Sequence, residues 1–162
     1  MMASADAKRF LSIAAEKGLT LGSAESLTGG LFASTICSIP GASRVFKGAV
    51  VSYAEEVKEH LLGVSEKTIA EHGVVSKEVA EEMALGALKA LNVDLAVSFT
   101  GNAGPTAEPG EAPVGRVDMA LAIREKNAAP KVLVYEEDFT GERNAIRESC
   151  VNFILARLLA LK

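Results

Sequence analysis

Apolar positions recur along the chain in two rhythms. Spacing of three and four residues predicts helices. It marks 4–17, where Phe10, Leu11 and Ala14 share a side and Gly18 stops the run. It returns at 31–39, ended by Pro40-Gly41, and at 54–62, ended by Gly63. Ser65 is the expected N-cap of a short helix reaching His72. Ser76 is the expected cap of a longer one, striped by Val79, Ala80, Met83, Ala84, Ala87, Leu88 and Leu91. A last helix is predicted from Thr140 to about Leu161, with Ile146, Val151, Ile154, Leu155 and Leu158 on one side. Short apolar or alternating runs predict strands at 19–24, 45–53, 94–99, 116–124 and 131–139. The polar turn at Lys126-Asn127 joins the last two.

The order of these elements limits the fold. Helices between the early strands favour parallel pairing, and the late hairpin adds an antiparallel strand. The expectation is an α/β protein, a three-layer α/β/α sandwich with a mixed, mostly parallel sheet, forming a single domain over residues 1–162. The segment 101–115 holds four glycines and three prolines, which excludes regular structure. It begins at a strand end, so it is expected to be a mobile wall of a site that orders on ligand binding.

Composition narrows the function. A chain of 162 residues can bury a real core, and with no Trp, six Phe and two Tyr that core must come from Val, Leu, Ile and Ala. The net charge of −4 argues against a nucleic-acid partner or an anionic membrane, both of which need clustered Lys and Arg. Cys37 and Cys150 lack metal-type spacing and fit a reducing compartment. No stretch approaches the roughly 20 apolar residues that span a bilayer. Residues 1–10 carry Asp6, Lys8 and Arg9 and have no apolar signal core. The protein is expected to be soluble and cytoplasmic, with no metal and no cofactor. A homo-oligomer stays open.

The richest chemistry lies in Ala24-Glu25-Ser26-Leu27-Thr28-Gly29-Gly30, between an expected strand and an expected helix. A serine there can be a nucleophile, a phosphate ligand or a helix cap. Thr28, Gly29 and Gly30 offer a hydroxyl and backbone amides to an anion. Two further segments fall at strand ends, Tyr53 to Lys58 and Thr100 to Pro105. In a parallel sheet these loops meet at one edge, where open α/β folds bind ligands. His60 and His72 are read as structural or surface residues. A lysine can serve Ser26 as base only when neutral, which means lowering its pKa by about 3 units, roughly 4 kcal/mol. Lys58 is the candidate, with Tyr53 able to hold the proton chain; a solvated helix lysine and a packing tyrosine are the plain alternatives. A short-chain dehydrogenase arrangement is set aside, because Tyr53 and Lys58 are five apart and no Gly-x-Gly-x-x-Gly follows the first strand. Arg143 and Arg147, one helical turn apart, suit a phosphate or carboxylate, or else pair with Glu142 or Glu148.

Taken together, these segments resemble the CinA C-terminal domain family, whose stand-alone members include nicotinamide-nucleotide amidases. The similarity runs from Ala24–Gly30 through Phe46-Lys47-Gly48, Val51-Ser52-Tyr53, Lys58, Leu62-Gly63-Val64, Gly73-Val74-Val75-Ser76, Thr100–Pro105 and Pro113-Val114-Gly115 to Gly141-Glu142-Arg143 and Arg147. It implies the α/β/α fold and hydrolysis of the carboxamide of nicotinamide mononucleotide, a small pyridine nucleotide, without a metal. It implies Ser26 as nucleophile and Lys58 as its base. It associates Ser43, Tyr53, Thr100 and Arg143 with the site, and Gly101 lies in the same strand-end motif. A non-catalytic nucleotide-binding or regulatory module of this fold is the alternative. The chain departs from the family pattern at Leu27, where Cys is usual, at Ala54-Glu55, where Ser-Asn is usual, and at Asn102, where Ile is usual. A carboxylate at Glu55 beside an anionic substrate is expected to weaken binding or change specificity.

Overall fold

A computed structural model describes residues 2–161; Met1 and Lys162, the ends of the 1–162 domain reading, lie outside the described residues. The elements are α1 (Met2–Lys17), β1 (Leu21–Glu25), α2 (Leu31–Cys37), β2 (Phe46–Val51), α3 (Glu55–Leu62), α4 (Glu66–His72), α5 (Lys77–Ala90), β3 (Leu95–Gly101), β4 (Arg116–Ile123), β5 (Lys131–Asp138) and α6 (Arg143–Leu159). The strands form one sheet in the order β2-β1-β3-β4-β5. β1 pairs in parallel with β2 and with β3, while β4 is antiparallel to β3 and to β5. Four strands therefore run one way and β4 runs against them, so the sheet is mixed and mostly parallel in strand direction. The final helix begins at Arg143, later than the expected start at Thr140. A short 3-10 turn over Ala42–Arg44 carries no signal in the apolar pattern.

Strand side chains divide by size across the sheet, because alternate residues face opposite sides. Leu21, Leu95, Val97, Phe99, Val117, Met119 and Leu121 pack toward the layer of α1, α2 and α6. Ala24, Ala96, Ala120 and Ala122 face α5. The small row lets α5 lie close to the strands, and Gly86 lets it lie close to α3. A Cβ at Gly86 would collide with the carbonyl of Leu62. On the first face Phe32 meets Phe46 and Phe99, with ring centroids 6.4 and 5.6 Å apart. Each large apolar side chain buried this way contributes about 1.5–3 kcal/mol. The caps follow expectation: Ser65 accepts from the amides of Lys67 and Thr68, and Ser76 from that of Val79. Among the described residues no helix is long and apolar enough to cross a membrane.

One buried group works against this packing. Asp118 on β4 is fully buried, and neither carboxyl oxygen finds a hydrogen-bond donor. Its partner across the strands is Glu136, another acceptor. The two can bond only when one of them carries a proton. Burial first, and Glu136 next, push Asp118 up to about 7, against the pull of Arg116 and Lys77. The folded state thus holds this proton to a higher pH than an unfolded aspartate, which titrates near 3.9. The stability tied to Asp118 is full below about pH 4 and is lost as pH rises through about 7. Asp118→Asn is expected to raise stability at about pH 8 by on the order of 1–2 kcal/mol and to flatten its slope between about pH 4 and 7. Urea unfolding across that range measures both, and an unchanged slope would show that Asp118 is already ionised in the fold.

Candidate active site

β1 ends in a carboxylate that organises the turn after it. Glu25 is fully buried. Oε1 accepts from the amides of Gly30 and Phe32 at 3.1 and 3.0 Å. Oε2 accepts from the amide of Ala33 and the hydroxyl of Ser23, both at 3.0 Å. A helix start leaves such amides without partners and favours negative charge beside them. Here the chain supplies that charge itself. The amide of Gly29 is also engaged, by the carbonyl of Ser26 at 3.0 Å. Thr28 is buried with its hydroxyl unpartnered. The residues expected to hold an anion, Thr28, Gly29 and Gly30, instead shape the turn, with Gly29 and Gly30 at φ +55° and +98°.

Ser26 stands at the head of this turn, 8% exposed. The Nζ of Lys58, from α3, lies 2.9 Å from Ser26 Oγ. It also donates to the carbonyls of Ser52 at 2.6 Å and Tyr53 at 3.1 Å. Lys58 is 1% exposed, and burial pulls its ammonium down from 10.5 to about 8, with Glu55 opposing. A neutral amine has two N–H bonds and one lone pair. Two carbonyls engage the two N–H bonds, which leaves the lone pair for the serine hydroxyl.

Tyr53 divides its contacts. Its carbonyl meets Lys58, while its phenol, on a side chain that is largely exposed, accepts from Arg143 Nη2 at 3.0 Å. Tyr53 thus meets Lys58 through its backbone carbonyl, while its phenol engages Arg143 on α6. Arg143 also donates to the carbonyl of Gly104, tying the 102–115 loop to Tyr53. Arg147 reaches the carbonyls of Leu27 and Thr28, both at 2.9 Å, and Oδ1 of Asn144 at 2.9 Å. Its guanidinium clamps the turn that carries Ser26. Among the described residues neither arginine pairs with Glu142 or Glu148.

Ser26, Lys58, Tyr53, Glu55, Thr100, Gly101 and Arg143 line one cavity of about 340 Å³ at the edge where β1, β2 and β3 end. A second space of about 660 Å³ adjoins it across Glu55, Val74 and Asn102. An apolar cavity of about 480 Å³, lined by Phe10, Ile13 and Leu158, lies beside Leu95 at the opposite end of the strands. The Thr100 hydroxyl donates to the Val74 carbonyl at 2.8 Å, so it braces the wall. Ser43 is exposed in the turn before β2, where that strand starts rather than ends. Parallel strands keep their starts and ends apart, so Ser43 does not join this cavity. Neither histidine lines it. Among the described residues no three His, Cys, Asp or Glu side chains gather to hold a metal ion.

Two organising residues escape a pattern reading. Glu25 was legible only as a charge closing an apolar strand, which is itself a signal that a buried partner awaits it. Asn102 pins the neck of the 102–115 loop: its amide donates to the carbonyls of Ala112 at 2.9 Å and Thr106 at 3.3 Å, and its oxygen accepts from Gly104 N. Nothing in local spacing announces those partners.

Comparison with known proteins bears on the whole arrangement. Residues 4–162 match the family described as CinA C-terminal domain. A crystal structure of the competence/damage inducible protein CihA from Agrobacterium tumefaciens superposes with a TM-score of 0.92 at 35% identity, over 99% of this chain and 95% of that one. The nicotinamide-nucleotide amidohydrolase PncC of Shigella flexneri is 42% identical over 142 residues, 88% of this chain and 84% of its own. A Bacillus velezensis protein named for competence-damage induction is 44% identical over 138 residues, 85% of this chain but 32% of that protein. The chain thus spans about a third of the length of such curated relatives. Matched in sequence nearly end to end and in backbone across the sheet and its helices, this chain belongs to the CinA C-terminal domain family.

Proposed function

We propose that this protein is a serine amidohydrolase that converts nicotinamide mononucleotide to nicotinic acid mononucleotide and ammonia. One observation carries the reading: a buried lysine amine, held by two carbonyls, stands 2.9 Å from a serine hydroxyl that borders a cavity. A phosphate-binding lysine would need exposure to its ligand, and Lys58 has almost none. The similarity to the PncC amidohydrolase supports the substrate.

In this mechanism neutral Lys58 accepts the Ser26 proton as Oγ attacks the carboxamide carbon. The carbonyl oxygen gains negative charge in the tetrahedral intermediate. The amide of Leu27, directly after the nucleophile, makes no hydrogen bond among the described residues, and Leu27 borders the cavity. It is the candidate donor to that oxygen. Protonated Lys58 then passes its proton to the departing nitrogen, and ammonia leaves an ester on Ser26. Water, deprotonated by Lys58, attacks the ester, and Lys58 returns that proton to Ser26 Oγ as the acid is released. Lys58 is engaged by Ser26 and two carbonyls, and Arg143 is the arginine that borders the cavity, so Arg143 receives the substrate phosphate. Arg147 stays on the turn.

Ser26→Ala is expected to abolish ammonia release while costing no more than about 0.5–2 kcal/mol of stability, the range for a lost capping serine. Near wild-type release would remove Ser26 from the chemistry. The wild-type rate is expected to rise with pH through a pKa of about 8, since about a tenth of Lys58 is neutral at pH 7. Lys58→Ala should abolish that limb; a profile that survives the substitution would make Lys58 a binding residue. The arginines should separate kinetically. Arg143→Ala should raise KM about 10-fold or more with a smaller effect on kcat, whereas Arg147→Ala, which frees two carbonyls of the nucleophile turn, should lower kcat at little-changed KM. Steady-state kinetics decides, and the reverse pattern would exchange their roles.

A further inference from the structure

The cavity has two poles of opposite charge. Arg143 supplies the positive one from α6. Glu55, the first residue of α3, supplies the negative one. Glu55 precedes Lys58 by three residues, so the two share a face of α3 and border the same cavity. Glu55 also borders the adjoining 660 Å³ space, which places this residue at the boundary between the two. Its role does not follow from helix formation alone. An acidic residue in a first turn is favourable wherever it points, but this one borders the cavity that holds Ser26 and Lys58.

We infer that Glu55 sets the charge selectivity of the site, holding the neutral carboxamide and its cationic ring in preference to the carboxylate product. The inference rests on the amidohydrolase reading above. The carboxamide carbon must reach Ser26, and the phosphate is drawn to Arg143. The pyridinium ring and its carboxamide then lie on the Glu55 side. Attraction between Glu55 and the ring cation serves substrate and product alike. Hydrolysis changes one thing: it replaces a neutral amide by a carboxylate beside an existing carboxylate. Repulsion then falls on the product alone and speeds its departure. Two unit charges about 6–8 Å apart in a solvent-bathed cleft alter binding about 3- to 10-fold, and added salt weakens the effect.

The same carboxylate acts on Lys58. The charged and titratable groups that border the cavity with Lys58 are Glu55 from α3, Tyr53 from the loop before it and Arg143 from α6. Glu55 holds the ammonium form and opposes the effect of burial. Removing its charge should make the base neutral at lower pH.

Titration calorimetry on the Ser26→Ala protein tests this without turnover. Dissociation constants for nicotinamide mononucleotide and nicotinic acid mononucleotide are compared with and without Glu55→Gln. The acid-to-amide ratio of dissociation constants is expected to fall about 3- to 10-fold in Glu55→Gln, to stay near its original value in Glu55→Asp, and to change less at about 0.5 M salt. With Ser26 intact, the rising limb of kcat/KM should move below about 8 in Glu55→Gln. An unchanged ratio in a protein whose Ser26 form releases ammonia overturns this inference and leaves the amidohydrolase reading standing. A wild-type protein that releases no ammonia overturns that reading, and this inference with it.

Discussion

A buried carboxylate left without donors would be among the most costly groups in this fold, and Glu25 avoids that state by accepting three hydrogen bonds from the turn and helix that follow it and a fourth from Ser23 on its own strand. The requirement is mutual. The amides of Gly30, Phe32 and Ala33 need an acceptor, and the carboxylate needs donors. Satisfying both draws α2 back onto the end of β1 and leaves one conformation for the residues between. Ser26 is held at its position by that closure. Arg147 secures the same turn from the other side by gripping the carbonyls of Leu27 and Thr28. Ser26, the proposed nucleophile, is thus fixed by groups outside the proposed chemistry, which is how a site keeps its geometry before substrate arrives.

This closure redistributes the work of anion recognition. The helix start that resembles a phosphate site already contains a carboxylate. In the proposed function recognition passes to Arg143, whose present partners are a phenol and a backbone carbonyl. Those neutral partners can give way to a phosphate without stranding an opposite charge. Arg147 has no such freedom, because its release would unfasten the Ser26 turn.

Lys58 shows how burial becomes chemistry. Desolvation destabilises its ammonium, and the nearby carbonyls keep it from leaving the interior. Asp118 shows the opposite sign of the same effect: burial favours its proton, with Glu136 adding to the push. In the proposed mechanism the first is a base near neutrality; the second is a proton store under α5.

Much of the fold was legible because strand and helix periodicity is local. Val97 and Phe99 alternate with Ala96 and Ser98, and that pattern alone places β3 between two layers. The parallel order of the early strands also followed, since each connecting helix forces the chain back to the same end before the next strand. Ser26 and Lys58 stood out as chemistry, but the 2.9 Å between atoms 32 residues apart in the chain did not. Nor did the role of Arg147, which looked like a phosphate ligand until its partners proved to be carbonyls more than a hundred residues away. Ser43, which the resemblance associates with the site, lies outside this cavity, because a sequence match says nothing about which end of a sheet a loop occupies. The sequence by itself determined the elements, their layers and the residue types available for catalysis, because those depend on neighbours within a few positions. Only the tertiary structure decided which amide, carbonyl or carboxylate each polar group meets. Buried polar groups must be satisfied by whatever the fold brings beside them, and that is a property of the closed sheet rather than of any segment.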